Sequence, residues 1–460
     1  MNQPFWNSDH FESFDGVAIA TRNTKVSYSD LNKMVRDYAG FLSDQGLKNQ
    51  LAFLPMVSDI DSVVRYLACL RSSIVPLLLP KNIDEGLIKN LSKVYKPAIK
   101  FGPNHIDDIQ IYKDLISSNG LPNEISLLLS TSGSTGSAKL VKLSGQNLDA
   151  NARSISKYLK IESNQIAHCA LPLSYSYGLS VLNSHLSSGA SIFLSDLNPF
   201  SDGYYDELIN EKITSISGVP FFYQMLFRTG FLDKDIPSLK VITQAGGKLN
   251  DKLIEKFCDY AQKRNISFFV MYGQTEATAR ISYVPPEMLS QKIGSIGVAI
   301  PGGNLGLSKQ GELIYSGPNV MLGYAENYKE LFEKRINNTE IHSKLSTGDM
   351  ASVDDDGYFY ISGRIKRFLK LAGSRFGLDE IETFLESEFH ECFLASGIDD
   401  RLEIVIEAND IDPLDIGEAL QAKFGIGRSF IKTKFVEQIA RKENGKKDYS
   451  FYLGGANGNK

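Results

Sequence analysis

The sequence predicts an α/β protein with a large N-terminal domain and a small C-terminal α+β domain. Three observations support this. A chain of 460 residues is too long for one compact core. The middle of the chain alternates short β-rich runs with amphipathic segments, and from Gly311 the pattern changes to β-rich hairpins. Alternating strands and helices predict parallel sheets with right-handed crossovers and helices on both faces. Ligands of such sheets bind beyond the carboxyl ends of the strands.

Short β-rich runs mark the predicted strands of the large domain. They are Ile125–Ser130, Gln165–Leu171, Ala190–Leu194, Ile213–Ser217, Leu239–Thr243 and Ile266–Met271. Between them lie helical patterns such as Asp251–Arg264, where apolar residues recur on one face. Asn250 precedes this segment and is a favourable N-cap.

The β-rich part contains one clear hairpin. Met350–Val353 and Tyr358–Ile361 flank an Asp-Asp-Asp-Gly turn, which predicts two antiparallel strands. A basic stretch, Arg364–Lys370, follows and leads into a shorter α+β tail. We therefore predict a domain boundary here, with the large domain at 1–365 and the small domain at 366–460.

Composition excludes several classes of partner. The net charge of −5 provides no basic surface for nucleic acid or anionic lipid. No apolar run reaches the length of a membrane span, and the first ten residues lack a signal-peptide pattern. The four cysteines are far apart and form no CxxC motif, as expected of thiols in a reducing compartment. We expect a cytoplasmic enzyme without a membrane span.

The loop after the first predicted strand has the composition of a phosphate-binding loop. Residues 130–139 read Ser-Thr-Ser-Gly-Ser-Thr-Gly-Ser-Ala-Lys. Small residues let backbone N–H groups point inward, hydroxyls add donors, and Lys139 supplies a positive charge. This is not a Walker A loop, because Ala138 stands where that motif needs glycine. A flexible Ser/Gly linker is the alternative, although a linker has little reason to follow an apolar strand directly.

This loop resembles the pyrophosphate-binding signature of the adenylate-forming superfamily. That superfamily contains acyl- and aryl-CoA synthetases, adenylation domains of peptide synthetases, and firefly luciferase. Its other motifs occur in the same order along nearly the whole chain. They are Ala245–Leu249, Tyr272–Glu276, Ser346–Asp349, Gly363–Arg364 with Lys370 and Gly373, and Asn444–Lys446. Each motif alone is weak, but their order is highly specific.

The resemblance implies that these motifs bind ATP. The implied nucleotide-binding residues are Thr131, Ser132, Gly133, Ser134, Thr135, Gly136, Lys139, Gly246, Gly247, Tyr272, Gly273, Thr275, Asp349, Tyr360 and Arg364. Tyr272, at a strand end, can lie against adenine, and the glycine pair permits close backbone approach. Glu276 is the implied Mg²⁺ ligand, because magnesium prefers few carboxylates together with phosphates and water. A surface carboxylate after a turn is the alternative for Glu276.

The predicted hairpin places Asp349 opposite roughly residue 362, so Asp349 and Arg364 should meet at its open end. The aspartate could accept hydrogen bonds from both ribose hydroxyls, and the arginine could reach ribose or phosphate. A plain surface ion pair would look the same in sequence. Tyr360 lines the adenine pocket in one interpretation and packs in the core in the other.

Two lysines near the C-terminus are candidates for catalysis. Composition alone predicts that this segment is a solvated charged tail. In the superfamily, a lysine after glycine bridges the acyl carboxylate and the α-phosphate, which implies this catalytic role for Lys446. Lys447 is the neighbouring candidate, but the Asn-Gly pair before Lys446 makes Lys446 the better match.

The connector between the predicted domains matches a hinge of the superfamily. Lys366 matches the position about which the small domain rotates between two half-reactions. Lys370 and Gly373 match a segment that faces the active site only after that rotation. The resemblance implies that Gly373 then borders the path of the thiol and that Lys370 is then a catalytic residue. An exposed basic connector is the alternative.

The implied acyl pocket departs from common patterns at Tyr175, Ser176 and Tyr177. Tyr175 stands where many acyl- and aryl-activating relatives carry histidine. Ser176 stands where amino-acid-activating relatives carry an aspartate that pairs with the α-ammonium. Ala138 and Leu140 replace the usual Pro and Gly beside the loop lysine. We expect a substrate without a free α-amino group.

The sequence thus predicts an AMP-forming acid–thiol ligase that uses ATP and Mg²⁺. It would form an acyl-adenylate from a small-molecule carboxylic acid, followed by a thioester on coenzyme A or on the phosphopantetheine of an acyl carrier protein. An amino-acid-activating enzyme that loads a carrier protein is the nearest alternative. An ATP hydrolase is disfavoured by the missing Walker A pattern, and a non-catalytic nucleotide-binding regulator by the retained motif residues.

Overall fold

The computed structural model describes residues 3–103, 105–130, 139–333, 344–365, 367–371, 374–397, 401–408, 410–442 and 444–453. Helices and strands alternate through most of this part of the chain. The helices are α1 (Ser8–Glu12), α2 (Tyr28–Asp44), α3 (Ile60–Arg71), α4 (Glu85–Tyr95), α5 (Gly145–Leu159), α6 (Ser176–Ser187), α7 (Tyr204–Asn210), α8 (Pro220–Arg228), α9 (Asp251–Arg264), α10 (Leu378–Phe389), α11 (Pro413–Phe424) and α12 (Tyr449–Leu453).

The strands assemble into several separate sheets. In chain order they are β1 (Val17–Ala20), β2 (Lys25–Ser27), β3 (Leu51–Met56), β4 (Val75–Pro80), β5 (Ile99–Phe101), β6 (Ile109–Ile111), β7 (Leu127–Ser130), β8 (Leu140–Leu143), β9 (Ile166–Cys169), β10 (Ser191–Leu194), β11 (Ser215–Gly218), β12 (Val241–Gln244), β13 (Ser267–Tyr272), β14 (Ser282–Val284), β15 (Val298–Ala299), β16 (Asn304–Leu307), β17 (Glu312–Ser316), β18 (Gly323–Ala325), β19 (Lys344–Val353), β20 (Phe359–Arg364), β21 (Phe368–Leu371), β22 (Ser374–Gly377), β23 (Phe393–Gly397), β24 (Leu402–Ile406) and β25 (Ile431–Phe435).

Two large sheets form the frame of the molecule. One has nine strands in the order β15-β14-β13-β12-β11-β9-β10-β1-β2, and the other has seven in the order β18-β8-β7-β4-β3-β5-β6. The central pairs of the first sheet, from β1 through β10, β9, β11 and β12 to β13, are all parallel. All the strands predicted from short apolar runs are present, with ends shifted by no more than two residues. The predicted α/β fold class is confirmed.

Helix α9 shows how local sequence selects an element. The Asn250 side chain accepts a hydrogen bond from the backbone N–H of Leu253, which caps the first turn. Ile254, Phe257 and Ala261 then bury one face of the helix. The helix begins and ends at the predicted residues, so periodicity and the cap together defined it correctly.

The predicted hairpin forms two strands of a four-stranded antiparallel sheet, β16-β17-β19-β20. Its register differs from the expected one near the open end. Ala351 pairs with Ile361, but a bulge follows and Asp349 pairs with Arg364. The sequence-based estimate of residue 362 opposite Asp349 was wrong by two residues: the strands pair one residue further along than estimated, and the bulge at Ser362 adds the second residue. The two side chains nevertheless meet, as expected.

The C-terminal part of the chain has a core of its own. Strands β23, β24 and β25 form a three-stranded sheet, and β21 and β22 form a hairpin. Leu369, Leu385, Phe393, Ile404 and Leu420 belong to one buried apolar cluster, distinct from the cluster between the large sheets. The boundary between residues 365 and 366 stays a prediction. Among the helices in the described ranges, none is long and apolar enough to cross a membrane.

Candidate active site

The candidate site lies at the carboxyl ends of neighbouring parallel strands. Strands β11, β12 and β13 pair in register, so the residues that follow them share one sheet edge. Val219 follows β11, Gly246 follows β12, and Tyr272 ends β13. Lys446 approaches the same edge from the C-terminal part of the chain. Motifs far apart in sequence therefore converge at one place, as the fold class predicts.

Asp349 is the centre of a buried hydrogen-bond network. The hydroxyl of Tyr272 donates to its Oδ2, and Gln274 Nε2 donates to the same oxygen at 2.9 Å. Gln274 also donates to the backbone oxygen of Thr347 at 2.9 Å. On the other side, Arg364 Nε donates to Asp349 Oδ1 at 3.2 Å. The Asp349 side chain is only 4% exposed whereas that of Arg364 is 62% exposed, so this is not an ordinary surface ion pair.

The network fixes the protonation state of Tyr272. Burial, followed by the negative charge of Asp349, holds the pKa of the Tyr272 hydroxyl well above its usual range. Tyr272 therefore stays a hydrogen-bond donor to Asp349 at physiological pH. Gln274 was not among the predicted site residues, although it lies inside the Tyr272–Glu276 motif.

Glu276 and Lys139 both contact the side chain of Tyr324. Glu276 lies in the 3₁₀ helix Thr275–Ala277, directly after β13. Its Oε1 accepts a hydrogen bond from the Tyr324 hydroxyl at 2.9 Å. Lys139 Nζ lies 3.5 Å from the centroid of the Tyr324 ring, a close cation–π contact. Tyr324 thus connects the end of the predicted phosphate loop with the predicted magnesium ligand. No sequence motif identified it as a site residue.

The surroundings of Glu276 fit a magnesium ion that is bound mainly through phosphates. Among the residues that the structure describes, no group of three or more His, Cys, Asp or Glu side chains could hold a metal ion. Magnesium needs no such cage, since one or two carboxylates with phosphate oxygens and water suffice. A carboxylate offers about four lone-pair sites, and the Tyr324 hydroxyl occupies one of those on Glu276.

A tight turn brings Lys446 into the cleft at the carboxyl ends of β11, β12 and β13. Gly445 N–H donates to Lys442 O at 2.8 Å, and Lys442 N–H donates to Lys446 O at 2.9 Å. Gly445 has a left-handed backbone, with φ of 75°. A Cβ atom there would lie 2.6 Å from Val219 Cγ2, so glycine is needed for this close approach. Lys446 Nζ lies 5.5 Å from the ring centroid of Tyr175.

The environment of Lys446 favours the loss of its proton. Burial, followed by the positive charge of Arg364, lowers the pKa of Lys446 to about 8, although Glu276 and Asp349 act in the opposite direction. These same groups are the predicted nucleotide and metal ligands. Lys446 is therefore within electrostatic reach of each of them.

Lys447 occupies a different environment. Its Nζ donates to Glu386 Oε1 at 2.7 Å and to Glu382 Oε2 at 3.2 Å, and it also bonds the backbone oxygen of Phe393. Burial would lower the pKa of Lys447, but the charges of Glu382 and Glu386 outweigh it and raise the pKa. Of the two candidate lysines, Lys446 alone lines the cleft.

The predicted acyl-pocket residues Tyr175, Ser176 and Tyr177 line a cavity in this cleft, which we call the outer cavity. Lys446, Gly246 and Thr275 line it as well. Ser176 Oγ lies 3.3 Å from Thr275 Oγ1. The Tyr177 hydroxyl donates to the backbone oxygen of Thr243 at 3.0 Å. Burial raises the pKa of Tyr175 to about 12, so its hydroxyl remains neutral.

Gly246 lies close to side chains that line this cavity. Its φ of 87° is left-handed, and a Cβ atom would lie 2.8 Å from the Tyr175 hydroxyl oxygen. Gly273 is equally restricted, since a Cβ atom would lie 1.8 Å from the backbone oxygen of Ala279. At Gly247 a Cβ atom would lie 3.2 Å from Pro220 Cγ. The glycines thus allow close packing of the loops beneath the cleft.

Other predicted site residues lie elsewhere or outside the described ranges. The Tyr360 hydroxyl donates to Asp354 Oδ2 at 3.2 Å, in the hairpin turn. Lys370 is exposed on β21. The remaining predicted residues lie outside the described part of the chain: Thr131, Ser132, Gly133, Ser134, Thr135, Gly136, Lys366 and Gly373.

Comparison with known proteins agrees with this geometry. The family model described as AMP-binding enzyme matches residues 107–325. A 2-succinylbenzoate–CoA ligase of Staphylococcus epidermidis is 27% identical over 399 residues, which cover 82% of this chain and 81% of the relative. The chain therefore resembles the adenylate-forming, AMP-binding enzymes, through the family model over just under half of its length and through this relative over most of it. The predicted family and the predicted enzyme class, an AMP-forming acid–thiol ligase, are confirmed.

Two further members of this group are similar over most of their length. A D-alanine–D-alanyl carrier protein ligase of Staphylococcus epidermidis is 26% identical over 415 residues, covering 83% of this chain and 82% of the relative. The structure of O-succinylbenzoate coenzyme A synthetase from Bacillus subtilis, in complex with ATP and magnesium ion, has a TM-score of 0.78 at 20% identity, covering 96% of this chain and 98% of that one. This structural similarity extends over both large sheets and the C-terminal part.

Proposed function

We propose that the protein activates a carboxylic acid with ATP and Mg²⁺ and transfers the acyl group from an acyl-adenylate to a pantetheine thiol. The observation that carries the proposal is the position of Lys446. Its ammonium group lies over Tyr175 and within electrostatic reach of Glu276, Asp349 and Arg364. A cation at that position is suited to joining a carboxylate with a phosphate.

The nucleotide is proposed to bind between the hairpin and the end of β13. Asp349 would accept the ribose hydroxyls, because its carboxylate is buried and held by Tyr272, Gln274 and Arg364. Tyr272 would contact adenine. The loop 131–136 and Lys139 would bind the β- and γ-phosphates. Glu276 would hold Mg²⁺, which neutralises phosphate charge when bound.

The first reaction joins an acyl oxygen to phosphorus. A carboxylate oxygen attacks the α-phosphorus, the bond from that phosphorus to the α,β-bridging oxygen breaks, and pyrophosphate leaves with the bonding electrons. Lys446 is proposed to contact both the attacking carboxylate and the α-phosphate, and so to stabilise the negative charge of the transition state. Partial burial of Lys446 strengthens this effect, because water screens it less.

The second reaction needs a different arrangement of the small domain. Lys370 is exposed in the present arrangement, in which Lys446 lines the cleft. We propose that the chain rotates about Lys366, so that Lys370 and Gly373 replace Lys446 beside the adenylate. The thiol would then attack the acyl carbon and AMP would leave.

The thiol acceptor is either coenzyme A or a carrier protein. One relative is named as a CoA ligase and another as a carrier protein ligase, so both acceptors are consistent with the family. None of the four cysteines is in a disulfide, which supports a reducing, cytoplasmic location. Assays with coenzyme A and with a carrier protein would distinguish the two acceptors.

The acid is proposed to lack a free α-amino group. Of the described residues that line the outer cavity, none is Asp or Glu, and Lys446 and Arg280 both carry positive charge. An α-ammonium group buried there would be unpaired and repelled. A fatty, aryl or hydroxy acid fits better. The relative that acts on D-alanine keeps an amino-acid-activating enzyme as the second candidate.

Product analysis tests the proposal. Enzyme, ATP, Mg²⁺, an acid and either acceptor should yield AMP and pyrophosphate in amounts equal to the thioester formed. ADP and phosphate as the products would contradict it. Pairs of amino acids and their desamino analogues separate the two candidate substrates: the desamino acid should be preferred, and a clear preference for the amino acid would favour the second candidate.

A further inference from the structure

Arg280 is a buried cation without an acidic partner. The residue is only 2% exposed to solvent. Across the described ranges it forms no ion pair with Asp or Glu, and its Nε has no hydrogen-bond partner. A buried charge is costly unless it is paired, and arginine does not escape the cost by losing its proton. Such a side chain is expected to have a negatively charged ligand.

Aromatic stacking and hydrogen bonds hold Arg280 in place. The guanidinium carbon lies 4.4 Å from the ring centroid of Tyr177, and Nη2 donates to Ser180 Oγ at 3.2 Å. The Tyr177 hydroxyl is in turn 2.8 Å from Thr243 Oγ1. Asn319 Nδ2 donates to the backbone oxygen of Arg280 at 2.8 Å. The guanidinium is thus positioned in advance by contacts that leave its charge uncompensated.

Arg280 lies where two cavities meet. It lines the outer cavity with Lys446 and also an inner cavity with His185, Ser217 and Met271. Of the described residues that line either cavity, none is Asp or Glu. Burial lowers the pKa of His185 to about 4, so that imidazole is neutral. Arg280 therefore supplies the positive charge that lines the inner cavity, while Lys446 supplies positive charge to the outer cavity.

We propose that Arg280 is a specificity-determining residue that binds a second carboxylate of the substrate, so that the acid activated is a dicarboxylic acid. This inference rests on the proposed function. The reacting carboxylate lies at Lys446, and the distal carboxylate lies against the guanidinium above Tyr177. The planar guanidinium can donate two parallel hydrogen bonds to a carboxylate, which gives geometric as well as charge selection.

Matched acids with and without the distal carboxylate test the inference. Succinic and butanoic, adipic and hexanoic, and terephthalic and 4-methylbenzoic acids form suitable pairs. In ATP–pyrophosphate exchange, kcat/KM for one or more diacids should exceed that of the matched monoacid by on the order of a hundredfold, as expected for a desolvated charge pair. Arg280→Met and Arg280→Gln should lower kcat/KM for the diacid far more than for the matched monoacid, and so remove this preference. Arg280→Lys should restore part of it.

Unfolding temperatures separate recognition from a structural role. Arg280→Met should unfold at the same temperature as the wild type or a higher one, since an apolar chain replaces an unpaired buried charge. The preferred diacid should raise the unfolding temperature of the wild type and not that of Arg280→Met. Arg264→Met, on α9 and outside both cavities, is the matched control and should behave like the wild type.

Each outcome decides the inference. Equal losses for diacid and monoacid in the Arg280 variants, or a wild-type preference for monoacids, would overturn it while the proposed function stands. If no acid supports exchange but a diacid stabilises the wild type and not Arg280→Met, the carboxylate site stands and the proposed function fails. Neither exchange nor stabilisation by any diacid would overturn both.

Discussion

Lys446 and Lys447 are adjacent in sequence but have separate environments. The Lys446 ammonium lies 5.5 Å from the centroid of the Tyr175 ring in the cleft, whereas Lys447 donates to Glu386 at 2.7 Å within the C-terminal part. The turn at Gly445 produces this difference. Lys446 is therefore placed where it could contact a ligand, whereas Lys447 is held by carboxylates of the C-terminal part.

Replacing each lysine by alanine should separate these two roles. Lys446→Ala should lower the rate of adenylation by a hundredfold or more, because the loss of one aimed donor costs about 3 kcal/mol or more of transition-state stabilisation. Its unfolding temperature and its affinity for ATP should change little. Lys447→Ala should instead lower the unfolding temperature, since breaking a buried ion pair costs roughly 3–5 kcal/mol. Near-normal adenylation by Lys446→Ala would refute the assignment.

The lowered pKa of Lys446 predicts how adenylation depends on pH. The ammonium form is present below a pKa of about 8 and is lost as pH rises through it. The value of kcat/KM should therefore fall on the basic side with an apparent pKa near 8. At saturating ATP this basic limb of the pH profile should move to higher pH, because bound phosphate favours the ammonium form of Lys446.

Two variants test the cause of that limb. Arg364→Gln should move it to higher pH, since the positive charge of Arg364 lowers the pKa of Lys446. Lys446→Arg should remove the limb from whatever activity remains, because arginine keeps its proton. An unchanged limb in Lys446→Arg would show that another group titrates.

The position of Asp349 predicts discrimination between sugars. If its carboxylate accepts the ribose hydroxyls, 3′-deoxy-ATP should be used less well than ATP by roughly ten- to a hundredfold, the effect of losing one hydrogen bond to a charged group. Asp349→Asn should reduce this discrimination and raise the KM for ATP. Asp356→Asn, in the turn of the same hairpin, is the control and should do neither. Full discrimination by Asp349→Asn would place the ribose elsewhere.

The proposed rotation predicts that the two half-reactions can be separated. Gly373→Leu should spare acyl-adenylate formation and block thioester formation, because a side chain would obstruct the thiol. Lys366→Pro should behave similarly by stiffening the hinge. Gly306→Leu is a control at a glycine on β16 with no heavy atom within 4 Å of a Cβ atom. Parallel losses of both half-reactions in the Gly373 and Lys366 variants would contradict the rotation.

Local sequence patterns predicted the parts of the fold that local interactions determine. The cap at Asn250 and the apolar periodicity that follows define α9, and short β-rich runs define the strands beneath the site. The hairpin was recognised from its turn, but its register near Asp349 depends on a bulge that the alternation of residues does not reveal.

The site residues that sequence reasoning missed depend on tertiary packing. Tyr324 reaches Glu276 across 48 residues, from strand β18 of the other large sheet. Arg280 stands in a polar loop sequence that gives no sign of burial, and only the packing around Tyr177 makes it an interior cation. Motif order predicted which residues bind the nucleotide, and that assignment stays a prediction, whereas the buried charge of the proposed acyl pocket required the structure.

Acid-dependent exchange of labelled pyrophosphate into ATP tests the central claim most directly. The wild-type protein and Lys447→Ala should catalyse exchange only when Mg²⁺ and a suitable acid are present, and Lys446→Ala should lose exchange by a hundredfold or more under the same conditions. Exchange that needs no acid, or that persists undiminished in Lys446→Ala, would contradict the claim that this site joins a carboxylate to the α-phosphate of ATP.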